Sequence, residues 1–371
     1  MRLLTREDLH DILTGCTILG TGGGGDMAEG IGLIDDALAR GRTFKMVTLD
    51  EAPPDALICT PYMLGAISPL PPDEEGKYAR LPRIDAPAIL LAYARFQEYL
   101  GQEFYGTVCC ELGGSNTAVA FYAAAMSGHM IVDADPAGRA VPEITHSTYY
   151  INDLPAAPIV LANEFGEVML LENIQDDLRA ETIVRALSIV SRNDIAAIDH
   201  ALAVESIRHA LIPGTITLAQ TMGRAHREAQ AAGVDVAEAV AQTGGGSVMF
   251  RGEISACDWR TEEGFTLGSV TIAGSGTDRN QTYRIDQKNE NLVGWLNDAV
   301  HATIPDLICL IDTDKGMPVT NPDFSKGMRV AVVILPAPAQ FTTARGLAAF
   351  GPAYVGLDQP FTSPLMTLAK Q

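Results

Sequence analysis

Three short stretches of the chain concentrate glycine, acidic and amide residues at spacings that suit a small polar ligand. They are residues 20–26 (GTGGGGD), residues 111–116 (ELGGSN) and residues 133–143 (DADPAGRAVPE). Glycine backbones can bring N–H groups close to an anion or a ring carbonyl, especially before a helix. Carboxyl groups can transfer protons or bind a metal ion. These stretches are therefore the candidate binding and catalytic segments.

The glycine run follows a predicted helix, because Thr5 and Asp8 have the spacing of a capping box and apolar residues recur at helical intervals. The run formally matches the Gly-x-Gly-x-x-Gly dinucleotide fingerprint. That fingerprint should follow a strand, so a nicotinamide cofactor is disfavoured. A tight turn between two helices is the alternative to a ligand-facing role. The candidate substrate-binding residues here are Gly22, Gly23, Gly24, Gly25 and Asp26.

The second stretch follows a predicted strand over residues 106–110. Ligands of open parallel sheets bind beyond the carboxyl ends of the strands. Glu111 is therefore a candidate catalytic group and Asn116 a candidate substrate-binding group. Ser115 alternatively caps the next helix, and it lacks an identified histidine partner for a serine-hydrolase role.

The third stretch crowds acids around one arginine. Asp133 and Asp135 are two residues apart, so an extended chain places both carboxylates on one face. Such a pair suits a metal ion, or an acid and a base with separated pKa values. Arg139 can bind a substrate carboxylate through two hydrogen bonds, and His146 is near enough to Glu143 in sequence to join carboxylates at a metal. A surface loop with an Asp–Arg salt bridge is the alternative.

The elements that must position these residues alternate as strand, polar turn and helix between residues 106 and 132. This alternation predicts an α/β domain with a mainly parallel sheet. Residues 61–87, rich in proline and acids, predict a long loop. We predict two domains, 1–160 and 161–371, the second with a helical segment over about 178–242 and then a β-rich part. Five histidines fall on helical patterns and are predicted to pack or to face solvent, namely His10, His200, His209, His226 and His301.

Composition limits the classes of function. The chain has 371 residues, 47% hydrophobic and 19% charged, as expected of a globular protein with more than one core. Its net charge of −20 disfavours nucleic acid and anionic membrane surfaces as partners. No stretch has the apolar length of a secretory signal or a membrane span. Six scattered cysteines without a CxxC pair predict reduced thiols and a cytoplasmic location.

Taken in order, the motifs resemble the S-methyl thiohydantoin desulfurase family, which is associated with hydantoinase and oxoprolinase genes. The resemblance covers nearly the whole chain. Beyond the three stretches above, with Leu19 preceding the first, it is carried by PGT at 213–215, FRG at 250–252, NENL at 289–292, PDLI at 305–308 and GP at 351–352. Composition alone would assign the NENL segment to a turn between strands.

The resemblance implies an N-terminal α/β domain, a β-rich C-terminal domain and a zinc ion in the active enzyme. It implies a small heterocyclic substrate, a five-membered cyclic thioimidate, whose hydrolysis releases methanethiol and leaves a hydantoin. We also expect a homo-oligomer. Two alternatives remain: another cyclic-amide hydrolase acting on a hydantoin or oxoproline relative, and a non-catalytic subunit that binds a hydantoinase-type partner.

The roles that follow from this resemblance are hypotheses. Activation of metal or water is assigned to Asp135 and His146, with Asp133 or Glu143 assisting. Glu111 transfers protons, and Arg139 orients a substrate carboxylate or braces the acidic loop. The glycine run and Asp26 hold the ring, and three further residues contact the substrate, namely Asn116, Asn289 and Glu290.

Overall fold

Two sheets and the helices that cover them make up the computed structural model, which describes residues 1–70 and 76–368. The helices are α1 (Arg6–Leu19), α2 (Met27–Ala39), α3 (Ala88–Leu100), α4 (Asn116–Ser127), α5 (Thr148–Ile151), α6 (Asp177–Val190), α7 (Val204–Ile207), α8 (Thr215–Ala232), α9 (Val236–Thr243), α10 (Ala344–Phe350) and α11 (Leu365–Leu368).

The first sheet is mixed, with a parallel centre. Its strands are β1 (Arg2–Leu4), β2 (Phe44–Thr48), β3 (Leu57–Gly65), β4 (Gly106–Thr107), β5 (Met130–Asp135), β6 (Ile159–Ala162), β7 (Val168–Leu171), β8 (Asp194–Ala203) and β9 (Ile212–Pro213). The order is β1-β2-β5-β4-β3-β8-β6-β7, and β9 pairs with β5. Strands β2, β5, β4 and β3 run parallel, so their carboxyl ends meet at one edge.

The second sheet is antiparallel throughout its described pairs. Its strands are β10 (Ser247–Glu262), β11 (Phe265–Gly274), β12 (Thr282–Lys288), β13 (Glu290–Leu296), β14 (Ala299–Thr303), β15 (Leu307–Asp312), β16 (Met317–Pro318) and β17 (Arg329–Leu335). The order is β14-β13-β12-β11-β10-β17-β15-β16. The predicted fold class, α/β with a β-rich C-terminal part, is confirmed.

Helices α1 and α8 join the two halves in one core that also contains residues of β15 and β17. They cross closely because two glycines lie at the crossing. A methyl group on Gly15 would lie 1.8 Å from the carbonyl oxygen of Ala219, and one on Gly223 would lie 1.8 Å from that of Asp11. The predicted capping box begins α1, since Thr5 Oγ1 accepts from Asp8 N and Thr5 N donates to the Asp8 carboxylate.

Three predictions of helix are wrong, and two of them concern β8. The alanine-rich segment DIAAIDHALA lies inside the predicted helical segment, yet it forms a strand between β3 and β6. Its central residues are buried, so tertiary packing outweighs the helix propensity of alanine. His200 consequently lies on a strand, and His301 lies on β14 rather than on a helix.

The predicted loop over 61–87 also begins too early. Pro61 pairs with Ile198, and β3 continues to Gly65. The pairing of β3 with β4 ends at Cys59, so beyond this residue the side of β3 that faces β4 has no partner strand in the described pairing. Proline is tolerated at position 61 for this reason. In the part of the chain that the structure describes, no helix combines the length and apolar character that a bilayer crossing requires.

Candidate active site

A cavity of about 520 Å³ lies beyond the carboxyl ends of β3 and β4, where the two halves of the chain meet. Ligands of parallel sheets bind at this edge. Many of the sequence candidates line the cavity, namely Gly24, Gly25, Asp26, Glu111, Asn116, Glu143, Asn289 and Glu290. The candidates that lie outside its described lining are Gly22, Gly23, Asp133, Asp135, Arg139 and His146.

The glycine run connects α1 to α2 and packs on the second motif. The Gly24 carbonyl accepts hydrogen bonds from the backbone N–H groups of Ser115 and Asn116, at 3.1 and 3.0 Å. Gly24 has φ +76° and a methyl group there would lie 2.4 Å from Gly113 Cα, so only glycine fits. Gly24 and Gly25 line the cavity, and their N–H groups donate to no residue in the described ranges.

The first half of the run makes room for the other half of the chain. A methyl group on Gly22 would lie 2.4 Å from the side-chain nitrogen of Asn321, and the Gly22 carbonyl accepts from Asn321 N at 2.8 Å. A methyl group on Gly23 would lie 1.8 Å from Oε1 of Glu290. Asp26 lines the cavity, but its carboxylate caps α2 by accepting from the N–H groups of Ala28 and Glu29.

Glu111 is buried, with 5% exposure, and both of its carboxyl oxygens accept hydrogen bonds. Its Oε1 accepts from Asn116 Nδ2 at 2.7 Å and its Oε2 accepts from Val141 N at 2.8 Å. Asn116 is fixed in turn by two bonds to the backbone of Met63. Burial raises the pKa of Glu111 to about 7, although those hydrogen bonds and the positive charge of Arg139 oppose it. This carboxyl group can therefore gain or lose a proton near neutral pH.

Glu290 is the second buried carboxyl group, with 2% exposure. Its Oε2 has no hydrogen-bond partner among the residues that the structure describes. Burial, followed by the negative charge of Glu111, raises its pKa well above the usual range. Asn289 turns the chain before it with φ +56°, and Asn289 Oδ1 accepts from Thr266 N at 2.8 Å. The two acids thus share one cavity, and Glu290 holds its proton more firmly.

Arg139 is fully buried, and it donates four hydrogen bonds to protein oxygens. Nε donates to the Ala140 carbonyl, Nη1 to the carbonyls of Pro305 and Asp306, and Nη2 to Thr21 Oγ1, all between 2.9 and 3.0 Å. These contacts are internal to the protein, and the two roles predicted for Arg139 stay predictions. The contacts tie the acidic loop to the second half of the chain.

The two aspartates of the third stretch bond to backbone groups. Asp133 caps helix α8, since its Oδ1 accepts from the N–H groups of Ile216 and Thr217 at 3.0 Å. Oδ2 of Asp135 accepts from Ala137 N and Gly138 N at 2.9 and 2.7 Å. Burial raises the pKa of Asp135 to about 7. Asp135 therefore shapes the loop that carries Glu143, whereas Asp133 fixes the start of α8.

The predicted metal ligands do not form a zinc site. His146 packs on the rings of Phe350 and Tyr354, and burial lowers its pKa to about 3. Its Nδ1 has no partner within the described ranges, but zinc takes three or four protein donors. Among residues 1–70 and 76–368 no three His, Cys, Asp or Glu side chains are grouped to hold a metal. Glu143 bonds instead to Lys288 Nζ and Tyr354 OH, at 2.5 and 2.6 Å.

A second polar cluster on the cavity wall escaped the sequence analysis. Asp199 accepts from Tyr62 OH at 2.9 Å and bonds to His200 Nδ1 at 2.7 Å. The His200 ring stacks on Tyr149, whose hydroxyl lies 3.1 Å from Thr60 Oγ1. All five line the cavity. They come from β3, α5 and β8. The sequence predicted a loop from residue 61 onward and a helix over β8, so it did not bring these side chains together. The adjacent Asp199 and His200 were the one local signal.

Comparison with known proteins accounts for both halves of the chain. Models of the S-Me-THD-like N-terminal and C-terminal domains match residues 7–173 and 175–364. The chain belongs to the S-Me-THD-like family. The resemblance to S-methyl thiohydantoin desulfurases that the motifs suggested is thereby confirmed.

The fold of this S-Me-THD-like chain also has a solved counterpart. A crystal structure of a protein from Chromobacterium violaceum is similar with a TM-score of 0.77 and 24% sequence identity, over 98% of this chain and 99% of that one. At this identity the likeness concerns the fold. No curated protein matches the chain.

Proposed function

We propose that the chain hydrolyses an S-methyl thiohydantoin to a hydantoin and methanethiol. The observation that carries the proposal is the pair of buried acids, Glu111 and Glu290, that line the same cavity. Hydrolysis needs a base and an acid at the same pH. Two carboxyl groups whose pKa values are raised to different extents supply both. Family membership supports the choice of substrate.

The reaction begins with attack of water on the ring carbon that bears sulfur. Glu111, as the carboxylate, takes a proton from the water, and the water oxygen bonds to the ring carbon that bears sulfur. The electron pair of the C=N bond moves to the ring nitrogen, which takes a proton from Glu290. The free N–H groups of Gly24 and Gly25 can donate to negative charge that develops on the ring.

Collapse of the tetrahedral intermediate restores both acids. Glu290 takes back the hydroxyl proton as the new C=O bond forms and the C–S bond breaks. Methanethiolate leaves with the proton held by Glu111. One water is consumed, one thiol is released and both carboxyl groups return to their starting state. No step requires the zinc ion that the family resemblance implies.

The test is to incubate the purified full chain with a five-membered S-methyl thiohydantoin, and to measure thiol with a thiol reagent and the ring product by mass spectrometry. We expect equal amounts of methanethiol and hydantoin, and a kcat lower by about 100-fold or more in Glu111→Gln and Glu290→Gln. Glu98→Gln is the matched control, because Glu98 is exposed on α3 and pairs with Arg95. Ring opening without thiol release would support the cyclic-amide alternative, and no turnover of either kind would contradict an enzymatic role.

A further inference from the structure

Three hydroxyl groups line the cavity near Asp199, and we call Thr60, Tyr62 and Tyr149 the hydroxyl cluster. Thr60 and Tyr62 are two residues apart on β3, so their side chains project from the same face of the strand. Tyr149 reaches the same wall from α5 and bonds to Thr60. The hydrogens of these groups determine which ligand atoms the wall can bind.

The proton of Tyr62 is committed to Asp199. His200 Nε2 faces the carbonyl oxygen of Leu154 at 3.2 Å and Nδ1 faces Asp199 Oδ1, so both ring nitrogens face acceptors and both carry hydrogen. Asp199 then accepts at both carboxyl oxygens, with Oδ1 facing His200 and Oδ2 facing Tyr62. Tyr62 must be the donor in its bond to Asp199, and its oxygen can only accept from a ligand.

The pair formed by Thr60 and Tyr149 has the opposite character. Two hydroxyls that share one hydrogen bond use one proton, and the second hydroxyl keeps its own. Within the described ranges neither hydroxyl bonds to any other residue. This pair therefore offers one donor to the cavity, beside the acceptor of Tyr62.

We propose that the hydroxyl cluster binds the amide edge of the substrate ring, with Tyr62 Oη accepting from a ring N–H and the Thr60–Tyr149 pair donating to the adjacent C=O. A five-membered cyclic amide presents these two groups side by side. The inference rests on the proposed function, because it orients the same substrate. It assigns Tyr62 as a specificity-determining residue, and Asp199 and His200 as positioning residues that hold its proton.

The test compares binding of hydantoin and of hydantoin methylated on its imide nitrogen, by calorimetric titration of the full chain. Tyr62→Phe should weaken the binding of hydantoin about tenfold and leave the affinity for the methylated ligand unchanged, because only hydantoin has that N–H to donate. The double variant Thr60→Val/Tyr149→Phe should weaken both ligands alike, since both keep the carbonyl. Tyr99→Phe is the matched control, because Tyr99 donates to the Glu172 carboxylate away from the cavity.

Equal weakening of both ligands by Tyr62→Phe, or no weakening of hydantoin, would overturn the inference while thiol release by the wild type keeps the proposed function. Absence of thiol release and of binding by either ligand would overturn both. If Tyr62→Phe fails to fold, a crystal structure of the wild type with hydantoin decides. The inference requires a ring nitrogen within about 3.2 Å of Tyr62 Oη, and a ring bound elsewhere contradicts it.

Discussion

Glu290 fills the space that Gly23 leaves empty. A methyl group on Gly23 would lie 1.8 Å from Oε1 of the glutamate and 2.5 Å from its carboxyl carbon. Glu290 comes from the second sheet, and the glycine run joins the first two helices. The glycines therefore provide room for a buried acid, and in the proposed function they also supply N–H donors to the substrate ring.

Gly23→Ala should lower kcat for thiol release by about tenfold or more, because the new methyl group forces the Glu290 carboxyl group out of place. Gly32→Ala is the control. It lies within α2 with no atom near its added methyl group, and it should stabilise the fold by up to about 1 kcal/mol. Steady-state kinetics and thermal unfolding of both variants measure these effects. Unchanged kcat in Gly23→Ala would show that the position of Glu290 is not critical.

The pH profile of kcat/KM should rise through about pH 7, the pKa of Glu111, because this base acts only as the carboxylate. The rate should fall again at higher pH as Glu290, whose pKa is raised further, loses its proton. The apparent pKa values of both limbs are properties of the interacting pair of carboxyl groups, Glu111 and Glu290. Glu111→Gln should lose the lower limb in its residual activity, and a profile that is flat from pH 5 to pH 8 in the wild type argues against the pair.

The free energy of unfolding should fall as pH rises through the range in which Glu111 ionises, whereas the rate rises there. Between its ordinary pKa of 4.5 and its folded value of about 7, Glu111 keeps its proton in the folded state and loses it in the unfolded state. Stability therefore falls as pH rises through this window. Glu111→Gln should gain up to about 3 kcal/mol relative to the wild type between pH 4.5 and pH 8.

Urea unfolding at the two pH values measures this gain. Glu98→Gln, changed at an exposed position, should show the same pH dependence as the wild type. An identical dependence in Glu111→Gln would mean that Glu111 ionises normally in the folded protein.

Arg139→Met should destabilise the fold by about 3 kcal/mol, since it leaves three buried carbonyl oxygens without their donor. Arg345→Met removes an exposed pair with Asp153 and should cost less than about 1 kcal/mol. Chemical denaturation of the two variants tests the difference. Equal losses would show that the buried arginine contributes no more than a surface one.

Thiol release should survive treatment with a chelator, because the proposed steps use carboxyl groups and the described side chains offer no three-ligand group for zinc. Metal analysis of the wild type and of His146→Ala should give the same result. Loss of activity on chelation, with recovery on adding zinc, would contradict the carboxyl mechanism and restore the metal prediction.

Local motifs carried most of what the sequence could predict. The glycine run, Glu111 and Asn116 lie on one cavity because each follows an element with a clear pattern of its own. The alanine-rich β8 was missed, because its burial between two strands depends on partners distant in sequence. Tyr62 was missed with it, since residues 61–87 were predicted to form a loop.

The charged residues show a second limit of prediction from the sequence. The sequence places Asp133, Asp135 and Arg139 in one crowded loop, but it cannot tell whether a charge faces a ligand or the backbone. The structure gives each of them backbone partners. A buried arginine that bonds three carbonyls and one that binds a substrate have the same sequence signature.

The meeting of the two halves at the cavity has a consequence for synthesis on the ribosome. The glycine run emerges from the ribosome well before Glu290 and Asn321, which occupy the space beside it. The cavity wall that these residues share with the glycine run cannot be complete before both have been synthesised. The proposed chemistry therefore requires residues from both halves of the chain, and a nascent first half alone cannot perform it.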